Sequence, residues 1–138
     1  MNALKNPLLY VASRASIPER PLMWRHMREG GWSINSSWID EAGPGETKDL
    51  SELWCRIERE VHAADGLILY VEPNDLPLKG ALVEVGLALA DGKLVAVVLP
   101  KSALGFDILK SLGSWVHHPC VDVFTNLEAA RCWIGSES

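Results

Sequence analysis

The chain is 138 residues long, 48% hydrophobic and 22% charged, which suits one compact domain with a buried core and excludes intrinsic disorder. Its net charge of −5, with no Lys/Arg cluster, excludes a broad nucleic-acid footprint while leaving room for a local basic pocket. Three cysteines (Cys55, Cys120, Cys132) in an odd count without CxxC spacing exclude a disulfide framework and a cysteine zinc site, and point to a reducing cytoplasm.

The opening "MNALKNPLLYVASRAS" lacks a long apolar h-region, and no run approaches bilayer-crossing length, so no membrane association is expected. Within it, "PLLYVAS" (7–13) reads as a buried strand. "IPERPLMWRHMREGG" follows as a helix, with Leu22, Met23, His26 and Met27 at helical spacing and Gly30-Gly31 as its stop. Arg25 and Arg28 are expected on the surface of that helix. "WSINSSWI" (32–39) is the second strand, and "DEAGPGETKD" (40–49) is a loop by composition. Its "GPGE" (43–46) matches neither a Walker loop nor a dinucleotide fingerprint and is expected to lie over the site. Asp49 caps the helix "LSELWCRIEREVHAAD", whose Leu50, Leu53, Trp54, Ile57 and Val61 make one apolar stripe.

"GLILYVE" (66–72) is a strand of the fully buried kind, and "PNDLPL" is a loop. A helix over about 79–90 and the strand "KLVAVVLP" come next. Beyond Pro100 the pattern predicts one short helix and a short strand around 120–124, and "NLEAARCWI" closes the chain as a helix capped by Asn126. Continuous apolar strands alternating with helices predict a single α/β domain over 1–138. Its parallel sheet of about five strands is covered on both faces, in a flavodoxin-like, doubly wound order. Ligands of such sheets bind at the carboxyl ends of the strands, near the switch point.

That rule converts strand ends into site candidates. Strand one ends at Ser13, Arg14, Ala15 and Ser16, and strand two near Ser36, Ser37, Trp38 and Asp40. Strand three ends at Glu72, Asn74 and Asp75, and strand four at Pro100-Lys101-Ser102. Glu84 joins this rim although it lies in an almost wholly apolar helix, one i,i+4 step after Gly80. Helical side chains lean toward the N-terminus, so its carboxylate is expected to project back over Gly80, where the missing side chain leaves room for a ligand. The helix N-terminus is expected to favour the ionised form, as a nucleophile requires. The plain alternatives for Glu84 are an ion pair with Arg14 or Lys79, or solvent exposure.

"YVAS" (10–13), Asp65, and "KGALVEVGLALADGKLVAVVLP" (79–100) resemble the nucleoside 2-deoxyribosyltransferase superfamily, which includes the deoxynucleoside monophosphate N-glycosidases. The matching positions are Tyr10, Ser13, Asp65, Gly80, Ala81, Glu84, Gly86, Ala88, Ala90, Gly92 and Lys93, within about residues 7–100. The resemblance implies that Glu84 attacks the anomeric carbon and displaces the base, forming a covalent glycosyl-enzyme that passes to another base or to water. It implies that Tyr10 orients Glu84 and that Asp65 sits near the sugar or base; a structural aspartate at the helix end is the alternative for Asp65. It also implies a homo-oligomer with shared active sites, needing no cofactor and no metal. The family's aspartate six residues before the glutamate is Leu78 here, and Glu72 and Asp75 are nearby substitutes out of register.

"SRAS" (13–16) offers Ser13, Arg14 and Ser16 as a grip for a 5′-phosphate, with an ordinary turn and exposed arginine as the alternative. Trp38 is placed to stack on a base, whereas Trp54 and Trp133 fit core or interface positions. His117 and His118 lack a third ligand at suitable spacing, so no metal is expected; they or Ser114 would reach a neighbouring subunit's site. The expected function is cleavage or transfer of the N-glycosidic bond of a nucleoside or its 5′-monophosphate, with no nucleic-acid polymer as partner. A non-catalytic nucleotide-binding module on the same fold is the alternative, and NAD cleavage is a third reading with less support.

Overall fold

A computed structural model of the chain describes residues 6–41, 48–100 and 107–137. Five strands, β1 (Leu8–Ala12), β2 (Ser33–Ile34), β3 (Gly66–Tyr70), β4 (Leu94–Val98) and β5 (Val121–Phe124), form one sheet in the order β2-β1-β3-β4-β5. Every pairing is parallel. This is the flavodoxin-like order, and the chain reverses its direction of winding between β1 and β3, so the switch-point crevice opens at their carboxyl ends.

The strands lack amphipathic alternation because both sheet faces are covered. Leu9, Val11, Ile68, Ala96 and Val98 face one core, with Trp24 and Ile134 from the covering helices. Tyr10, Ala12, Leu67, Leu69, Val95 and Val97 face the other, with Ile57, Val61, Val85 and Ala88. Successive side chains on a strand point to opposite faces, so each strand serves both cores. Each fully buried Leu, Ile or Val contributes roughly 1.5–3 kcal/mol, which is why such runs dominate the choice of fold.

The helices are α1 (Glu19–Glu29), α2 (Trp38–Glu41), α3 (Leu50–Ala63), α4 (Gly80–Ala90), α5 (Ile108–Leu112) and α6 (Leu127–Glu137). Two predicted caps are made: Asp49 accepts from the Glu52 N–H at 3.1 Å, and Asn126 accepts from the Ala129 N–H at 2.8 Å. Helix α4 ends in a Schellman turn, with Lys93 N–H on the Ala88 carbonyl, Gly92 N–H on the Leu89 carbonyl, and Gly92 at φ +72°. Gly66 answers a different need: a Cβ there would lie 2.7 Å from Ile134 Cγ2 and 3.1 Å from the Leu94 carbonyl oxygen. Only glycine lets α6 approach the start of β3 so closely.

The second strand departs from its expected 32–39. The ladder stops after Ile34 because side chains take over its hydrogen bonds. Ser36 Oγ accepts from the Val11 N–H at 2.8 Å, and the Trp38 indole N–H donates to the Val11 carbonyl at 2.8 Å. The backbone is thereby released into the short helix α2 at Trp38.

Candidate active site

Tyr10 sits mid-strand in β1, fully buried on the face that α3 and α4 cover. The crossover after β3 lays α4 over that face, and the second turn of α4 brings Glu84, 7% exposed, against Tyr10. The Tyr10 hydroxyl donates to Glu84 Oε1. Neither alternative expected for Glu84 is realised: it is buried, and it forms no ion pair with Arg14 or Lys79.

The electrostatics correct one expectation. Burial pushes the Glu84 carboxyl up to about 7; the Tyr10 hydrogen bond opposes this and the Glu60 carboxylate adds to it. The helix N-terminus does not hold the acid in its usual range, because desolvation outweighs a fractional charge lying a full turn away. Burial and the Glu84 carboxylate push the Tyr10 phenol well above its ordinary value, so it serves as a hydrogen-bond donor rather than an acid.

A cavity of about 380 Å³ opens beside this pair at the carboxyl edge of the sheet. Four segments enclose it: the turn Ser13–Ser16, Trp38 at the start of α2, the α3 face of Leu53, Trp54 and Ile57, and residues Pro77–Ala81 with Glu84. The volume lies in the range of small-molecule sites. Ser13 is buried and accepts from the Trp24 indole N–H at 3.0 Å. Arg14 donates through Nε to Ser16 Oγ at 3.2 Å and through Nη1 to the carbonyls of Asn74 and Asp75 at 3.4 and 3.3 Å. Arg14 and Lys79 are the two cations among the lining residues.

Ser13, Arg14, Ser16, Trp38, Gly80 and Glu84 therefore meet around one cavity, as the strand-end rule anticipates. Gly80 is a milder case than expected: an added Cβ would meet the Trp54 ring at 3.8 Å, an ordinary contact. Other sequence candidates lie elsewhere, and each has a physical reason. Asp75 is fully buried, bound by Arg20 at 2.8 and 3.3 Å, and accepts from the Glu72 N–H at 2.9 Å. Glu72 accepts from the Tyr70 hydroxyl at 2.6 Å and pairs with Arg20 at 3.3 Å. These acids pin the loop that leads to α4 and do not line the cavity, which corrects their expected role in binding.

Asp65 is corrected likewise. Its Oδ2 accepts from the Leu8 N–H at 2.8 Å and its own N–H reaches the Leu8 carbonyl at 2.7 Å. Both bonds hold the amino edge of the sheet, at the opposite end of the strands from the cavity. Ser114 is exposed in a one-turn helix, Ser114–His117, outside the cavity of its own chain. His118 accepts from the Cys120 N–H at 3.0 Å, and no metal-binding cluster occurs among the described residues. Asp40 is turned to a bidentate pair with Arg28 at 2.8 and 2.9 Å. The "GPGE" loop and Lys101-Ser102 lie outside the described residues.

The sequence reading missed Leu53, Trp54 and Ile57 as lining residues. Helical periodicity identifies their shared apolar stripe, but a stripe reads the same whether it meets core or cavity. Glu60 was missed too. Its Oε1 accepts from the Ser37 N–H at 3.2 Å, and its charge bears on both Tyr10 and Glu84.

The sequence matches no protein-family model and no curated protein. Among solved structures the chain is similar to the Clostridium botulinum CMP N-glycosidase BcmB, with a TM-score of 0.51 and 16% identity over 91% of this chain and 93% of that one. At that identity the likeness establishes a shared fold. No helix among the described residues is long and apolar enough to cross a membrane.

Proposed function

We propose that this chain cleaves the N-glycosidic bond of a nucleoside or its 5′-monophosphate, with Glu84 as nucleophile. The observation that carries the proposal is the buried Tyr10–Glu84 pair beside a cavity of nucleoside size at the switch point. The fold shared with a CMP N-glycosidase supports the same bond type. A Glu84 carboxylate oxygen bonds to C1′ while the C1′–N bond breaks and its electron pair leaves with the base. Tyr10 holds the attacking group in one orientation. Water, or a second base in a transfer reaction, then attacks C1′ and releases Glu84. Arg14 and Ser16, beside Lys79, are the groups to hold a 5′-phosphate.

The proposal includes a homo-oligomer in which a second copy completes each cavity. Ser114, exposed and outside the cavity of its own chain, would act only as such a donor. Sedimentation of the protein with and without Ser114→Ala, alongside activity, tests that part.

The function itself is tested by incubating wild type and Glu84→Gln with ribo- and deoxyribonucleosides and their 5′-monophosphates, with and without an acceptor base. Free base released by wild type alone is expected, and a new nucleoside in the presence of acceptor would assign transfer. Saturable binding without turnover across the panel would replace the enzyme with a nucleotide-binding module.

A further inference from the structure

The residues around the cavity are unequal in what they offer a departing base. Arg14, Ser16 and Lys79 suit an anion, whereas Trp38, Leu53, Trp54, Ile57 and Leu78 present hydrocarbon. The indole N–H of Trp38 is already bound to the Val11 carbonyl at 2.8 Å. Glu84 is the only carboxyl among the described residues that line the cavity. The acids nearby are engaged with other groups and do not line the cavity: Asp75 with Arg20, Glu72 with Tyr70 and Arg20, and Glu60 with the Ser37 N–H.

A neutral base that departs with the C1′–N electron pair leaves as an anion unless an acid protonates it, and such an acid contributes roughly 10²–10⁴-fold to rate. Glu84 cannot attack as a carboxylate and donate a proton in the same step. The Tyr10 hydroxyl is held by Glu84 and buried, and Lys79 is exposed to water. A base that already carries a positive charge needs no such acid, because departure makes it neutral. Aromatic walls favour a flat cation through the faces of their rings. A positive charge beside Glu84 also favours its ionised form, offsetting the burial that opposes it.

We propose that the substrate is an N-glycoside whose base is itself cationic, a pyridinium or an N7-alkylated purine, held against the apolar wall of Trp38, Trp54 and Leu78. The proposal rests on the N-glycosidase reading above. A Glu84 oxygen bonds to C1′, and the C1′–N pair moves onto the ring nitrogen and cancels its charge. The neutral base departs. Water then attacks C1′, releases the Glu84 carboxylate and loses its proton to it.

The test compares matched substrates with the whole protein: nicotinamide riboside against cytidine, and 7-methylguanosine against guanosine, each also as its 5′-monophosphate, with wild type and Glu84→Gln. The expected result is a Glu84-dependent kcat/KM for the cationic members about 100-fold or more above their neutral counterparts. Neutral members cleaved within about tenfold of the cationic ones would overturn this inference and leave the N-glycosidase reading standing. No Glu84-dependent cleavage of any member would overturn both.

Discussion

The hydroxyl of Tyr10, from the middle of β1, donates to the carboxyl of Glu84, 74 residues later in the second turn of α4. The pair joins strand and crossover helix at the switch point, and its hydrogen bond opposes the burial that raises the carboxyl of the group proposed to react. Because burial raises that carboxyl to about 7, its attacking form gains population as pH rises through that value. The expected kcat/KM profile has an ascending limb near pH 7, measured by initial rates of base release. In Tyr10→Phe the opposing hydrogen bond is gone, so the limb should move to higher pH, by about one unit or more for a bond to a charged group. A limb that stays in place would remove Tyr10 from control of Glu84.

The same shift links to stability, with a definite sign. Glu84 binds its proton more tightly when folded, at about 7 against its ordinary 4.5. The folded state is therefore favoured at low pH, and the advantage is lost as pH rises from about 4.5 through about 7. Glu84→Gln keeps an acceptor for Tyr10 without a charge. It should be more stable than wild type at pH 8, by on the order of 3 kcal/mol at most, and nearly equal to it at pH 4. Denaturant melts at the two pH values check this.

Asp75 and Arg20 form the buried pair that fixes the loop before α4. Asp75→Ala removes the buried partner of the Arg20 guanidinium and leaves it only the half-buried Glu72 at 3.3 Å, and breaking a buried pair typically costs about 3–5 kcal/mol. The expected outcome is a large fall in Tm. Where the variant still folds, KM should rise, because Arg14 rests on the carbonyls of Asn74 and Asp75 in that loop.

Arg14 should discriminate between substrates. Arg14→Ala is expected to raise KM for 5′-monophosphates about 10–100-fold, the worth of a charge-assisted hydrogen bond, and to change the plain nucleosides little. Equal losses for both classes would mean that Arg14 shapes the turn without meeting a phosphate.

Gly66→Ala places a methyl on Ile134 and on the Leu94 carbonyl. Overpacking of this kind costs typically 1–3 kcal/mol. Adding Ile134→Ala should recover part of the effect of the glycine substitution in a double-mutant cycle, but not all of it, since the carbonyl oxygen remains at 3.1 Å.

Much of this molecule was legible without coordinates. Uninterrupted apolar strands between helices specify a parallel sheet covered on both faces, because only such a sheet buries every position of a strand. Asp49, Asn126 and Gly30-Gly31 mark helix ends by local chemistry that depends on nothing distant. Glu84 stands out for the same reason, as a carboxylate in a helix otherwise built of hydrocarbon. The tertiary structure decided the partners. Periodicity assigns a residue to a face, but the group across from it comes from a segment tens of residues away, delivered by the crossover. Asp75, Glu72 and Asp65 read alike as acids near strand ends. Arg20 of α1, which pairs with both Asp75 and Glu72, and the Leu8 amide, which binds Asp65, turn them into staples instead of binding groups. The charge state of Glu84 was decided there too, since desolvation is the sum of everything packed around a group and no local stretch of sequence contains it.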